Sequence, residues 1–290
     1  MTPCFVIEIV TPQSVRLKGL WLGPKKAKRV IIWVHGLGSS MFSKLDIAQG
    51  LTDTRTAVLV FNNRGHDKVS RIAYTNEKKI GKTELGGGAS EVFTDCVDDI
   101  QGAINFAKKA GGKDMYLAGH STGCQKSVYW ASRKRGRGVK GIILMAPISD
   151  WAAETHLRGM KKVQQASKFA QQMVKQKRGH EFLPSNVWHE LLDAQRFVSL
   201  YTPDSVEEIF LYAQPKKNPR IFKSVHLPML AIFAENDEFA DRPARSLVSW
   251  FQTNTQSRRF KTAIISSAYH GFKGAERNVA KIIQEFIRSH

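Results

Sequence analysis

The 290-residue sequence predicts an α/β fold, with a mostly parallel central sheet, helices on both faces and one helical insertion. Three observations carry that expectation. Short unbroken apolar runs recur at Arg29–His35, Thr56–Phe61, Gly141–Ala146 and Pro228–Ala234, as in strands buried on both faces of a parallel sheet. Amphipathic stretches alternate with them. The alternation breaks once, over 151–225, where no such apolar run occurs.

In chain order, Phe5–Val10 and Leu17–Leu22 read as two strands around a Thr-Pro-Gln-Ser turn. Arg29–His35 is a buried strand ending in Gly36-Leu37-Gly38, and a short helix is expected near Ser43–Leu51. Thr56–Phe61 is the next buried strand, ending in Asn62-Asn63-Arg64-Gly65-His66. Residues 67–90, polar and rich in glycine, read as a loop. Glu91–Ala110 reads as a helix, because Phe93, Val97, Ile100, Ile104 and Ala107 recur at three- and four-residue spacing, with Asp95, Asp98 and Asp99 between them. Gly111-Gly112 stops it.

Met115-Tyr-Leu-Ala-Gly119-His120-Ser121-Thr122-Gly123 reads as strand, tight turn and helix start, the turn being G-x-S-x-G. In such an elbow the serine sits on a strained backbone and projects from the sheet edge. Gly119 and Gly123 are expected to be glycine because strand and helix cross closely there. The helix runs from the serine to about Arg135, and Gly141–Ala146 follows as a strand ending at Pro147-Ile-Ser-Asp150.

The insertion of about 75 residues is too long for a plain connector. It is expected to be a helical cap, with helices around Met160–Met173, Asn186–Phe197 and Ser205–Tyr212. A pocket lined by Trp151, Met160 or Phe197 would suit an acyl group. Pro228–Ala234 resumes the sheet, a helix around Arg242–Phe251 follows, and Thr262–Ser266 is the last strand. A final amphipathic helix carries Val279, Ile282, Ile283, Phe286 and Ile287. The expected organisation is therefore a core in two parts, 1–150 and 226–290, with the cap at 151–225.

Ser121, Asp237 and His270 each fall just after an expected strand, and in open α/β sheets the ligand crevice lies at the carboxyl ends of the strands. A serine hydroxyl needs a neutral imidazole to take its proton, and a carboxylate to hold that imidazole in the right tautomer. These are the roles expected of His270 and Asp237. The oxyanion would be met by the backbone N–H groups of Leu37 and Thr122, the latter at the positive end of a helix. Asp237 is preferred over Glu235, Asp241 and Asp150 because it lies a few residues past its strand, within reach of a histidine on the neighbouring one. His35, His120 and His66 read as loop-stabilising residues. His156, His180, His189 and His226 lack metal-ligand spacing, so no metal site is expected.

The order Ser, Asp, His is that of the α/β-hydrolases, and the chain resembles that superfamily over essentially its whole length. Within it, Gly119-His-Ser-Thr-Gly-Cys-Gln125, Ala146-Pro-Ile-Ser-Asp150 and Asp237-Glu238-Phe239 resemble a little-characterised family that includes fungal siderophore esterases. The chain departs from that pattern at Gly86-Gly87-Gly88-Ala89, where an aromatic between glycines is expected. The resemblance implies an esterase-like activity, a small-molecule acyl substrate and no cofactor. A peptidase or acyltransferase could use the same residues, and the rival from another class is a non-catalytic binding protein on the same fold.

Composition bounds the partners. A hydrophobic content of 42% and a charged content of 24% are those of a soluble globular chain. No apolar run approaches a membrane span, and the N-terminal residues lack the basic and apolar regions of a signal peptide. The three cysteines, Cys4, Cys96 and Cys124, suggest neither a disulfide framework nor a metal site, which fits a reducing cytoplasm. Cys124 reads as a packed apolar residue rather than a second nucleophile. The net charge of +19 gathers at Lys25–Arg29, Arg133–Arg137 and Lys161–Arg178. It reads as a solvated basic surface, with attraction to an anionic partner as the functional alternative. No nucleic-acid module accompanies it.

Overall fold

A computed structural model describes residues 2–75 and 84–289. Among them the strands are β1 (Cys4–Val10), β2 (Val15–Leu22), β3 (Arg29–Val34), β4 (Thr56–Phe61), β5 (Ser70–Tyr74), β6 (Glu84–Gly86), β7 (Asp114–His120), β8 (Gly141–Met145), β9 (Met229–Ala234) and β10 (Phe260–Ile265). The helices are α1 (Leu45–Gly50), α2 (Cys96–Lys109), α3 (Thr122–Lys134), α4 (Asp150–Arg158), α5 (Met160–Lys175), α6 (Ala194–Tyr201), α7 (Arg220–Lys223), α8 (Ala244–Asn254) and α9 (Glu276–Arg288).

The sheet order is β10-β9-β8-β7-β3-β4-β2-β5-β6, with β1 paired to β2. The strands from β10 to β4 are parallel neighbours, while β1, β2, β5 and β6 add an antiparallel end. The apolar runs of β4, β8 and β9 are buried at every position, as strands covered on both faces must be. One face packs on α2, α3 and α8 through Ile100, Ile104, Val128, Trp130, Leu247 and Phe251. The other packs on α1 and α9 through Ile47, Val279, Ile283 and Phe286. The strand order reverses between β3 and its neighbours β4 and β7, so the crevice of an open α/β sheet falls at the carboxyl ends of β3 and β7.

The loop expected over 67–90 contains β5 and β6, and its residues 76–83 lie outside the described residues. Strands of five and three residues with little apolar alternation give no periodic signal. The three glycines are wedged in place. A Cβ on Gly87, at φ +95°, would sit 2.7 Å from the Lys68 carbonyl oxygen, and one on Gly88 would sit 2.8 Å from the Gly38 nitrogen. They let this segment lie directly against the turn after β3.

The helix expected from Glu91 begins as a short 3-10 turn at Phe93–Asp95, and α2 proper starts at Cys96. Its aspartates are not a solvated stripe. Asp98 and Asp99 are buried on Arg64, whose guanidinium reaches Asp99 at 2.7 Å, Asp98 at 2.6 Å and Asp95 at 3.0 Å.

The segment 151–225 is helical only in part, and its packing is divided. The helix expected at Asn186–Phe197 lies instead at Ala194–Tyr201, where Asp193 caps it by accepting from Arg196 N. Ser205–Tyr212 ends in a single 3-10 turn, Leu211–Ala213. Helices α5 and α6 share a small apolar cluster of Val163, Ala170, Met173, Trp188, Phe197 and Tyr201. Beyond it, Phe210, Tyr212 and Phe222 pack into the main core against Trp250 and Phe251. Phe197 is fully buried inside the α5–α6 cluster, whereas Met160 is exposed.

A buried chain of charges ties α6 to the core. Arg196 on α6 pairs with Glu207 at 2.6 Å and with Glu91 at 3.0 Å, and Glu91 pairs with Lys126 on α3 at 2.6 Å. Arg196 and Lys126 are both fully buried, so each needs its partners to offset the loss of water.

Candidate active site

Ser121 connects β7 to α3 with φ 55° and ψ −129°, a conformation a non-glycine residue adopts only under strain of about 1–3 kcal/mol. The flanking glycines make this crossing possible. A Cβ on Gly119 would collide with the Gly123 carbonyl, and one on Gly123 with the Val34 carbonyl. The turn is held by Ser121 N donating to Met145 O at 3.0 Å and Cys124 N donating to Ser121 O at 2.8 Å. The Cys124 thiol points inward, toward the carbonyls of Gly119 and Met145, and burial pushes its pKa well above the ordinary thiol value. It is therefore no nucleophile.

The loop after β10 carries His270 to the same sheet edge. His270 Nδ1 lies 2.8 and 3.0 Å from the two carboxylate oxygens of Asp237, which follows β9. A carboxylate can only accept, so Nδ1 carries a proton, and in the neutral ring Nε2 is the nitrogen with the lone pair. Asp237 is also held by Phe239 N at 3.0 Å. The backbone of His270 is fixed at both ends, its N–H donating to Glu238 Oε2 at 2.8 Å and its carbonyl accepting from His120 Nε2 at 2.9 Å. Among the described residues the Ser121 hydroxyl makes no hydrogen bond. Asp150 lies elsewhere: it accepts from Gln125 Nε2 at 2.7 Å, and burial together with Glu207 and Glu208 holds its carboxyl well above the ordinary carboxylate range.

The turn after β3 closes over the serine. A Cβ on Gly36 would fall 2.9 Å from Ser121 Cβ, so only glycine lets the loop approach. His35 sits beneath it. Its Nε2 faces the N–H of Asn63 at 3.3 Å, so Nε2 accepts and Nδ1 donates to the Gly36 carbonyl at 2.9 Å. That carbonyl and the N–H of Leu37 belong to one peptide plane and point in opposite directions. Holding the carbonyl therefore aims the N–H away from His35. Among the described residues neither the Leu37 nor the Thr122 N–H has an acceptor. Burial and the nearby Lys126 lower the His35 pKa to about 3, so the ring stays neutral and its tautomer fixed.

His35 and His120, read from sequence as loop-stabilising, thus hold the backbone of the two loops that meet at Ser121. Glu238 and Arg64 were not singled out. Arg64 fixes the loop after β4, with its own N–H on Asp99 at 2.8 Å, and so places the Asn63 N–H that binds His35. An arginine in a polar loop carries no periodic signal, and its three aspartates were counted as the polar face of α2. Nor did sequence indicate that Leu37 would pack against the α5–α6 cluster, which brings that cluster to the end of the sheet that carries Ser121. Among the described residues no group of histidine, cysteine and carboxylate side chains could hold a metal ion.

Residues 83–289 match the family described as "Protein of unknown function (DUF1749)". No curated protein matches the chain in sequence. In structure the chain is similar to the Pyrococcus furiosus esterase Pf2001, with a TM-score of 0.64, 15% identity, and 99% of this chain and 91% of that one covered. It is similar to a thermostable carboxyl esterase from Bacillus coagulans, at 0.69 and 12% identity, over 99% and 100% of the two chains. It is also similar to Est1E from Butyrivibrio proteoclasticus, solved with ferulic acid bound, at 0.62 and 17% identity, over 98% of each. The fold is that of the α/β-hydrolases.

Proposed function

The chain belongs to the DUF1749 family, and we propose that it is a serine hydrolase cleaving a carboxylic ester, thioester or lactone through an acyl-enzyme on Ser121. The observation that carries this reading is the strained Ser121 at the mouth of α3, on the sheet edge that also bears the His270–Asp237 pair. In the proposed cycle His270 Nε2 takes the hydroxyl proton as Ser121 Oγ bonds to the carbonyl carbon. The carbonyl oxygen becomes an oxyanion facing the N–H groups of Leu37 and Thr122. The bond to the leaving group then breaks and His270 returns the proton to that group. Water, deprotonated by the same imidazole, releases the acid and regenerates the serine. Asp237 holds the ring and stabilises its charged form. The helices α4–α6 act as a cap beside the oxyanion turn. No cofactor enters any step.

The test is labelling by a fluorophosphonate, followed by turnover of simple esters. Ser121 should be labelled. Ser121→Ala should abolish labelling and lower kcat by about 10⁴ or more, and His270→Ala should cost a similar amount. The double variant should lose little beyond either single one, because the two residues act as a unit. A protein that stays unlabelled and inactive on every acyl substrate would instead be the non-catalytic relative.

A further inference from the structure

The turn after β3, which carries the Leu37 N–H, is touched by a second segment, Gly86–Ala89. Their approach depends on Gly88 having no side chain. A Cβ on Gly88 would stand 2.8 Å from the Gly38 nitrogen, 3.0 Å from Gly38 Cα and 3.2 Å from Leu37 Cδ1. Protein interiors leave little slack at such a contact. The loop after β4 ties the two segments together: Asp67 N donates to Ser39 O at 2.7 Å, and Gly88 N donates to Asp67 O at 2.8 Å. Helix α6 holds the carbonyls of the same segment. Asp193 N donates to Ala89 O at 2.8 Å, and Arg196 Nε donates to Gly88 O at 3.4 Å. Asp193 is also the N-cap of α6, its carboxylate accepting from Arg196 N at 2.6 Å, so the residue that starts the helix also grips the segment. Gly88, Ala89, Asp193 and Arg196 are all buried.

We propose that Gly88 and Asp193 are positioning residues for the oxyanion: α6 holds Gly86–Ala89, which fixes the Leu37–Gly38 backbone and with it the aim of the Leu37 N–H. This rests on the serine-hydrolase reading. His35 fixes the peptide before Leu37 through the Gly36 carbonyl, and Gly88 meets the peptide after it, so the donor lies between two held points. An oxyanion donor acts only from the right place, and a displacement of about 1 Å can cost about 100-fold in rate. The charge it meets exists only as the transition state forms, so the loss belongs in kcat rather than in KM.

Gly88→Ala should lower kcat on a simple ester by about 10- to 100-fold, with KM within about threefold of wild type. A trifluoromethyl ketone reports on the same donor. Ser121 Oγ bonds to its carbonyl carbon, the hydroxyl proton passes to His270, and the carbonyl oxygen is left as an oxyanion. Its inhibition constant should rise in Gly88→Ala by a factor similar to the loss in kcat. Loss of folded enzyme would lower the rate without weakening the inhibitor, so the two readouts together separate positioning from stability. Gly111→Ala is the control: it strains a φ of +99° with nothing within 4 Å of the new Cβ, and should lower the melting temperature while kcat and inhibition hold. If Gly88→Ala does not fold, Asp193 decides. Asp193→Ala removes the cap and should lower kcat and weaken the inhibitor about tenfold, and Asp193→Ser, which restores a capping oxygen, should recover most of both. An inhibition constant equal to wild type in a folded Gly88→Ala, or in Asp193→Ala where the glycine variant does not fold, overturns the positioning role and leaves the hydrolase intact. A wild-type chain that neither takes up fluorophosphonate nor binds the ketone removes both.

Discussion

His35 and His120 are held neutral by burial, and protonating His35 would also remove the Nε2 lone pair that accepts from Asn63 N. His120, like His35, is lowered to about 3, by burial first and then by the neighbouring His270. An unfolded histidine titrates near 6.5. Between these values the unfolded chain binds more protons than the folded one, so stability rises with pH. The contribution is complete above about pH 6.5 and is lost progressively as pH falls toward 3. For His35 alone this is about 3 kcal/mol between pH 7 and pH 4. Urea unfolding midpoints at those two pH values should therefore differ clearly in the wild type. His35→Asn should be less stable at pH 7 but show a shallower fall on acidification, and an unchanged slope would show that the ring does not titrate on unfolding. The elbow itself was readable from sequence, because G-x-S-x-G states its backbone requirement in its glycines. The roles of the two histidines were readable only as loop support, since their hydrogen bonds to backbone groups distant in sequence, the Asn63 N–H for His35 and the His270 carbonyl for His120, leave no local pattern.

Helices and strands differed in how well they announced themselves. The buried parallel strands and the last helix were plain, because continuous apolar runs and a sustained 3.6-residue period survive any tertiary context. β5, β6 and the start of α6 were not, because pairing to β2 and capping by Asp193 are set by neighbours rather than by composition. The burial of Asp98 and Asp99 of α2 was not legible for a related reason: periodicity separates polar from apolar but not solvated from buried. Helix α6 offers the sharpest test. Arg196→Met should leave Glu91 and Glu207 without their shared cation, at a cost of about 3–5 kcal/mol, because an uncompensated buried charge remains. The triple variant Arg196→Met/Glu91→Gln/Glu207→Gln should recover much of that loss. Guanidinium denaturation of the wild type and both variants measures it. Equal stabilities throughout would mean that the ion chain contributes nothing to folding.

For the molecule as a whole, the charge of +19 acquires a location. On α5, Lys161, Lys168 and Lys175 recur at seven-residue spacing along the exposed side, with Gln164, Gln165, Gln171 and Gln172 between them, and the helix has no acidic residue. Among the described residues these lysines have no ion-pair partner. If this field steers substrate, kcat/KM for an anionic ester should fall as salt rises, while that for a neutral ester should hold, because screening shortens the reach of the charges to about 8–10 Å near physiological ionic strength. Equal salt profiles for both esters would return the basic surface to a role in solubility alone. Among the described residues no helix is long and apolar enough to cross a membrane. The link from Arg196 through Glu91 to Lys126 also bears on how such a chain can be re-engineered. A cap is commonly treated as an interchangeable part, cut out at its two junctions and replaced to change specificity. Here the segment 151–225 is joined to the core not only at its ends and through Phe210, Tyr212 and Phe222, because a further attachment runs through a carboxylate on the loop before α2 and an ammonium five residues beyond Ser121. A donor segment without a matching cation would strand Glu91 and Lys126 as a buried pair facing foreign side chains. Replacement of the segment 151–225 must therefore travel with residues 91 and 126, and α3 carries a mark of the segment linked to it through Glu91.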